Sequence, residues 1–371
     1  MRILVAHNVP RARTGGMSRI MGFIHDEIAR EGHEVDYLTS DDLPARYHGA
    51  VSRFAFPALV ARHATAAARA GRPYDILNVH EPSAALAAVL RRAGRLPPLV
   101  VTSHGLERRA WKLARDERRL GRGGPSWRAR LSYPATVLSQ ARASLALADR
   151  VFVLNSEDAA FLAQTTGRPP ATIQRIWPAA ADVFAAAAPS RDYARARSIL
   201  FAATWRANKG IADLVPAIHQ VWNAYPDVVL TILGAGVDLD PGAVFGARAG
   251  NVRIVQAASD DEAAAIHAAS DIFVLPSLFE GTPLTLIEAM AGGLPIVTTD
   301  TCGMKDVIAH GRNGLLVPVR SPAAIAGAVT SLLADPALRA RLGKTAHGEA
   351  RVRYTWPKVA RPVLEAYKLL V

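Results

Sequence analysis

The stretch DIFVLPSLFEGTPLTLIEAMAGGLPIVTT, Asp271–Thr299, decides the fold. A short apolar run, "DIFVLPS", reads as a buried strand and leads into a loop through Leu278, Phe279, Glu280 and Gly281. Thr282 is then a good helix cap with Pro283 at the first helical position, where its missing N–H costs nothing. The helix "PLTLIEAMA" is predicted to stop at Gly292-Gly293, and "PIVTT" returns as a second strand. Strand, helix and strand at this spacing make a unit whose strands run parallel and are buried on both faces.

The same rhythm extends outward. Upstream in this half lie the strands "SILFAAT", "VVLTILGAG" and "VRIVQ", with "ADLVPAIHQVWNAY" as a helix between the first two. The first half repeats the pattern with "RILVAH", "EVDYLTS", "DILNVH", "PLVVTSH" and "RVFVLNS". Its first helix, within "MSRIMGFIHDEIAREG", sets Ile20, Phe23, Ile24 and Ile28 on one face. An Ala- and Pro-rich piece, "FAAAAPSRDYARA", separates the halves. The expected fold is α/β, with two Rossmann-like doubly wound parallel-sheet domains, residues 1–186 and 187–354.

Composition agrees with two folded domains. The chain has 371 residues, beyond the size at which one core stops growing. A single cysteine, Cys302, excludes an intrachain disulfide and fits a reducing compartment. The opening apolar run is too short for a signal-peptide core, and no run approaches the roughly 20 apolar residues of a membrane span. The expectation is a cytoplasmic protein, attached at most to the inner face of a membrane.

Net charge is +12 and unevenly placed. Between Leu106 and Ser132 stand Arg108, Arg109, Lys112, Arg115, Arg118, Arg119, Arg122, Arg128 and Arg130 against only Glu107, Asp116 and Glu117, with Trp111 and Trp127 among them. Such a segment draws phosphate, from a lipid headgroup, a nucleotide or a nucleic acid, or is simply a solvated face.

In open parallel sheets ligands bind beyond the carboxyl ends of the strands. Glu280 stands at such an end, beside a helix N-terminus that suits a phosphate. An ionised carboxylate there accepts hydrogen bonds from ligand hydroxyls or stabilises a cation-like sugar. Glu288 lies further along the same helix, either facing solvent or accepting two adjacent hydroxyls. Arg206 and Lys209, in "WRANKG", follow a strand and are placed to neutralise a departing phosphate. "LGAG", with Gly234, ends the next strand, and Gly15-Gly16 follows the first strand of the chain. His104 ends "PLVVTSH", and His80 with Glu81 ends "DILNVH". "LGKT" at Leu342 is no P-loop, since its first glycine would fall at Leu338.

"FEGTPLTLIEAMAGGLPIV" closely resembles the donor-binding signature of the retaining family-4 glycosyltransferases, which have the GT-B fold, and Glu280 and Glu288 match that family's paired glutamates. The similarity runs from "ASDIFVLPS" to "GRNGLLVPVRSPAAIAGAVTSLLADP" and extends more loosely over the first half. It implies two domains facing across a cleft, with 355–371 packing back onto the first. It further implies donor binding by Phe279, Gly281, Thr282, Pro283 and Leu284, with Glu288 on the ribose and Glu280 on the donor sugar. Arg206 and Lys209 match the basic pair used on the diphosphate, and Gly234 lies in the glycine turn near the nucleotide. Gly15 and Gly16 match glycines that let the backbone approach donor or acceptor, and His104 matches a histidine near the reacting carbon. One departure is "PAAAD", Pro178–Asp182, where many relatives carry Pro-Asn-Gly.

The expected activity is therefore transfer of a sugar from a nucleotide-diphosphate donor to an acceptor hydroxyl with retention, in glycan, glycolipid or cell-envelope polysaccharide synthesis. No cofactor and no metal is expected; the partners are a glycan, lipid-linked or small-molecule acceptor and an anionic membrane surface, not nucleic acid. A same-fold sugar-nucleotide epimerase and a non-catalytic binder of anionic surfaces are the alternatives. Donor turnover without acceptor marks the first, and salt-sensitive binding without transfer the second.

Overall fold

A computed structural model of the protein describes residues 1–12 and 15–371. The chain forms two compact units: Met1–Asp116 with Gly124–Trp177 and Trp356–Val371, and Glu117–Gly123 with Pro178–Thr355.

The first unit is built on β1 (Arg2–His7), β2 (Glu34–Thr39), β3 (Ile76–His80), β4 (Leu99–Thr102), β5 (Arg150–Val153) and β6 (Ile173–Arg175). All neighbours are parallel, in the order β2-β1-β3-β4-β5-β6. β3 and β4 are buried along their whole length, as strands covered on both faces must be. The first helix, Gly16–Arg30, turns Ile20, Ile24 and Ile28 into the core. Against it lies the helix Trp356–Lys368, where Trp356 meets Phe23 at 4.8 Å between ring centres. The phenol of Tyr367, fully buried, pairs with His25 Nε2 at 2.8 Å and with the Asn78 amide, which accepts from Thr102 Oγ1 at 2.8 Å.

The second unit holds β7 (Ser198–Ala202), β8 (Val229–Leu233), β9 (Val252–Val255), β10 (Ile272–Leu275), β11 (Ile296–Thr299) and β12 (Leu315–Val317). Their order is β12-β11-β10-β7-β8-β9, again all parallel. Within this unit Glu117 is held by Arg320 (2.6 Å) and Arg122 by Asp213 (2.9 Å).

Four details differ from the sequence reading. β6 and β12, three residues each, lie at sheet edges and are too short to announce themselves as strands. The joint between units falls at Trp177–Pro178 rather than near residue 187. The Ala-rich piece is an element of the second unit, because the helix Asp182–Ala186 packs there with Phe184 edge-on to His267 at 5.1 Å. The helix after β10 spans Leu284–Ala291, with Pro283 outside it at ψ 126°, so Thr282 is not its cap.

Candidate functional site

In the second unit the strand order reverses between β7 and β10, and this is where such sheets open a crevice for ligands. Both halves of the expected site leave the sheet there. After β7, Trp205 N–H donates to the Ala235 carbonyl at 2.7 Å and Arg206 begins the short turn Ala207–Lys209. Gly210 closes that turn at φ 73°, and a Cβ there would lie 1.9 Å from the Pro276 carbonyl oxygen. Only glycine lets the turn rest on the loop after β10. Leu278 N–H then donates to the Asn208 carbonyl at 2.8 Å.

This seating brings the Lys209 ammonium against the Glu280 carboxylate, whose Oε1 also accepts from Ser277 Oγ at 3.0 Å. The two side chains are 20% and 13% exposed, so the pair is shielded but reachable. Arg206 is exposed, and no described residue pairs with its side chain. Thus Lys209 and Glu280 meet, whereas Arg206 stands beside them in sequence and reaches outward.

From Leu284 to Ala291 every residue but Thr285 is buried, and Glu288 is only 2% exposed. The solvent-facing reading of Glu288 is therefore removed. Phe279, Gly281, Thr282, Pro283 and Leu284 are also buried. A Cβ on Gly303 would sit 1.9 Å from the Gly281 carbonyl oxygen, so the helix Cys302–Val307 after β11 packs directly on this phrase. Gly234 and Gly236 both take left-handed backbone, φ 72° and 71°, at the end of β8.

In the first unit the order reverses between β1 and β3. His7 ends β1, His80 ends β3, and His104 follows β4. Their rings form a row, His7 to His80 at 5.3 Å and His80 to His104 at 4.9 Å. His80 is 2% exposed, and among the described residues neither of its ring nitrogens has a partner. His104 Nε2 is likewise buried and without a partner among the described residues, while the buried Glu81 carboxyl lies beside the Ser103 hydroxyl. Burial, with help from the neighbouring histidines, pushes the His80 imidazole well below its usual range; burial takes His104 down to about 3 and lowers His7. Burial, with Glu107 and Asp158 nearby, lifts the Glu81 carboxyl to about 8. Glu81 Oε1 accepts from the Glu107 N–H at 3.4 Å, and the Glu107 carboxylate accepts from the Tyr133 hydroxyl.

Gly15 and Gly16 open the first helix with ordinary dihedrals at Gly15, and no atom lies within 4 Å of a Cβ built on Gly16. What they provide is bare backbone at a helix N-terminus.

The basic segment is less uniform than its composition. Arg109 is taken up by Glu157 and Asp158, and Arg122 by Asp213. Arg108, Lys112, Arg115, Arg118, Arg128 and Arg130 remain exposed. Trp111 stacks on Tyr133 at 4.4 Å, and a groove of about 370 Å³ is lined by Trp111, Arg115, Trp127, Arg130, Leu131 and Pro134. Trp127 and Leu131 are 64% and 71% exposed. Among the described residues no helix is long and apolar enough to cross a membrane, and no group of three or more His, Cys, Asp or Glu would hold a metal ion.

Sequence reasoning did not find Gly303 or the Glu107–Tyr133 contact, since nothing local to either marks a partner so distant in the chain. Gly210 had a signal, as the glycine closing "WRANKG".

Residues 14–180 match the family model described as Glycosyltransferase Family 4, and residues 189–348 the model described as Glycosyl transferases group 1. The phosphatidyl-myo-inositol mannosyltransferase of Mycolicibacterium smegmatis is 28% identical over 92% of this chain and 87% of its own length. The D-inositol 3-phosphate glycosyltransferase of Corynebacterium urealyticum is 31% identical over 44% of this chain and 40% of its own. Among solved structures, sucrose-phosphate synthase from Thermosynechococcus elongatus superposes with a TM-score of 0.78 at 21% identity, covering 100% of this chain and 99% of that one. Anabaena HepE in complex with UDP superposes at 0.72 and 17% identity, with both chains covered in full.

Proposed function

The chain belongs to the family-4 glycosyltransferases of GT-B fold, and from that premise we propose that its second unit binds a nucleotide-diphosphate sugar whose sugar is passed, with retention, to a hydroxyl of a glycolipid or glycan acceptor. The observation that carries this reading is the Lys209–Glu280 pair at the β7/β10 reversal, next to a buried helix bearing Glu288.

Glu288 takes the ribose diol, and Glu280 takes hydroxyls of the donor sugar. Lys209 and the outward Arg206 meet the charge that grows on the diphosphate as the anomeric C–O bond breaks. The new bond forms from the acceptor oxygen on the face the diphosphate leaves, and the acceptor proton passes to the leaving phosphate. Phe279 and Leu284 are buried, so they offer backbone rather than side chain to the donor. His104, uncharged, stands by the reacting carbon as a hydrogen-bonding group.

The same reading assigns the exposed Arg128, Arg130, Trp127 and Leu131 to an anionic membrane surface. Exposed aromatic and aliphatic side chains among arginines suit the headgroup layer. Two relatives named for inositol-bearing substrates support an inositol-bearing acceptor, whose lipid form would lie in such a surface.

The deciding experiment is calorimetric titration of UDP, GDP and ADP and their common sugars into wild type and Glu288→Ala. One nucleotide should bind, and the variant should lose roughly 1.5–3 kcal/mol, the worth of a charge-assisted hydrogen bond. Binding of none, or equal binding to both proteins, overturns the assignment. For the surface, flotation with anionic vesicles should exceed flotation with neutral ones, and the Trp127→Ala/Leu131→Ala double variant should lose the difference.

A further inference from the structure

We propose that Arg191, Tyr193 and His347 are positioning residues for the donor: they hold the backbone at the end of the helix Leu284–Ala291 and so fix where Glu288 presents its carboxylate. The inference rests on the donor-site reading of Glu288 and adds what keeps that side chain in place.

Glu288 apart, the buried side chains of this helix are Leu284, Leu286, Ile287, Ala289, Met290 and Ala291, all apolar. Apolar burial is non-directional, so it does not by itself set how far a short helix slides or turns. A binding group nevertheless has to be held within about 0.5 Å of its working geometry. Directional contacts are gathered at the C-terminal turn. The N–H groups of Gly292, Gly293 and Leu294 close on the carbonyls of Glu288, Met290 and Ala289. The next three carbonyls each accept from a side chain distant in sequence: Ala291 from His347 Nδ1 at 2.6 Å, Gly292 from Arg191 Nε at 2.8 Å, and Gly293 from the Tyr193 hydroxyl at 2.7 Å. A carbonyl only accepts, so Nδ1 of His347 carries the hydrogen.

These donors are themselves anchored. Arg191 also donates to the carbonyls of His267 at 2.9 Å and Ser270 at 2.5 Å, where the helix Asp260–Ala268 ends, so one cation serves two helix C-termini. Arg339, only 2% exposed, donates to the Tyr193 carbonyl at 2.7 Å. Arg339, Gly343 and His347 recur at four-residue intervals and share one face of the helix Pro336–Arg353. A Cβ on Gly343 would lie 2.3 Å from the Gly293 carbonyl oxygen and 2.7 Å from the Tyr193 hydroxyl. The glycine of "LGKT" thus lets this face rest on the last turn of the helix that bears Glu288. Elsewhere Arg168 takes the Leu145 and Ala148 carbonyls, so a lone cation on carbonyls is ordinary in this fold. Three donors of different chemistry on three consecutive carbonyls, one turn beyond Glu288, are not.

The test uses the full chain and calorimetric titration of UDP, GDP and ADP, at a temperature where circular dichroism shows each variant folded. Tyr193→Phe removes one hydroxyl and His347→Leu one ring donor. Each should weaken the nucleotide that wild type binds by about three- to tenfold, with stoichiometry unchanged. His347→Asn, whose amide N–H stands where Nδ1–H stood, should recover binding to within about twofold of wild type. In the Glu288→Ala background Tyr193→Phe should add less than about twofold, since a clamp acting through Glu288 has nothing left to position. Tyr193→Phe, which loses a single oxygen, keeps the test sharp if His347→Leu fails to fold. A merely structural role would lower the number of competent sites and leave the affinity of the rest unchanged. That pattern, no rescue by His347→Asn, or a full loss by Tyr193→Phe on top of Glu288→Ala overturns the clamp, while weakened binding in Glu288→Ala alone keeps the donor site. Equal binding to wild type and Glu288→Ala, or no nucleotide bound by wild type, overturns the donor site and the clamp with it.

Discussion

The two units have nearly the same sheet and opposite chemistry at the strand reversal. In the second, the groups at the β7/β10 ends carry charge, and the Lys209–Glu280 pair is shielded yet open to a ligand. In the first, the histidines at the ends of β1, β3 and β4 and the carboxyl of Glu81 are pushed by burial towards their uncharged forms. One scaffold thus carries an ionic pair at the strand ends of one unit and buried imidazoles and a carboxyl at those of the other. The topology chooses where a ligand sits, and the side chains at the strand ends choose what it is.

The sharpest way to break this contrast is to remove charge from the second unit. Lys209→Ala should lower kcat for transfer by about 10²–10³-fold, the loss typical of removing one preorganised group that stabilises developing charge, with acceptor KM little changed. A loss confined to KM would move Lys209 from the reaction to binding. Glycine replacement comes next. Gly210→Ala forces a side chain into left-handed backbone and against the Pro276 carbonyl, and should cost about 2–4 kcal/mol of stability by denaturant titration. Gly16→Ala meets nothing within 4 Å and should stay within about 0.5 kcal/mol while weakening ligand binding. Equal stabilities for the two alanine variants would remove the packing argument.

A pH series probes the buried imidazoles and carboxyl. The His80, His104 and His25 imidazoles have folded values below the ordinary 6.5, so below about pH 6.5 the unfolded chain gains protons that the folded chain refuses, and stability falls with acid. Glu81 works the other way. Its folded value is raised to about 8 from 4.5, so stability falls as pH climbs between those values. The histidines outnumber it, which places maximal Tm near pH 6.5, the ordinary histidine value, with a decline towards pH 8. Glu81→Gln should flatten that alkaline decline; an unaltered profile would show Glu81 to be ionised in the fold. The smallest effect is expected from chelation. Treatment with EDTA should leave transfer unchanged if the basic residues do the work of a metal.

Much of this was legible in the sequence. The central strands declared themselves as apolar runs because both their faces are covered. β6 and β12 did not, being three-residue edges. Glu280 and Lys209 were each legible, but their contact was not. They lie 71 positions apart and meet only because β10 crosses over to lie beside β7. Glu288 reads identically on a wet or a buried helix face, since only tertiary packing decides its burial. His80 and Glu81 carried a faint signal as polar residues ending an apolar strand. The burial of both His80 ring nitrogens without a partner among the described residues is a property of three dimensions alone.

The helix Trp356–Lys368 carries one last consequence, for biogenesis. Tyr367 fills the first unit's core and pairs with His25 and Asn78, yet a ribosome makes it only after all of Pro178–Thr355. Domains usually mature in the order of translation. Here the nascent first sheet must wait, its buried polar groups unmatched, while the later-made second unit is free to fold. The protein is thus finished at its beginning, and a message cut short before Trp356 would yield a mature second unit tethered to an incomplete first one.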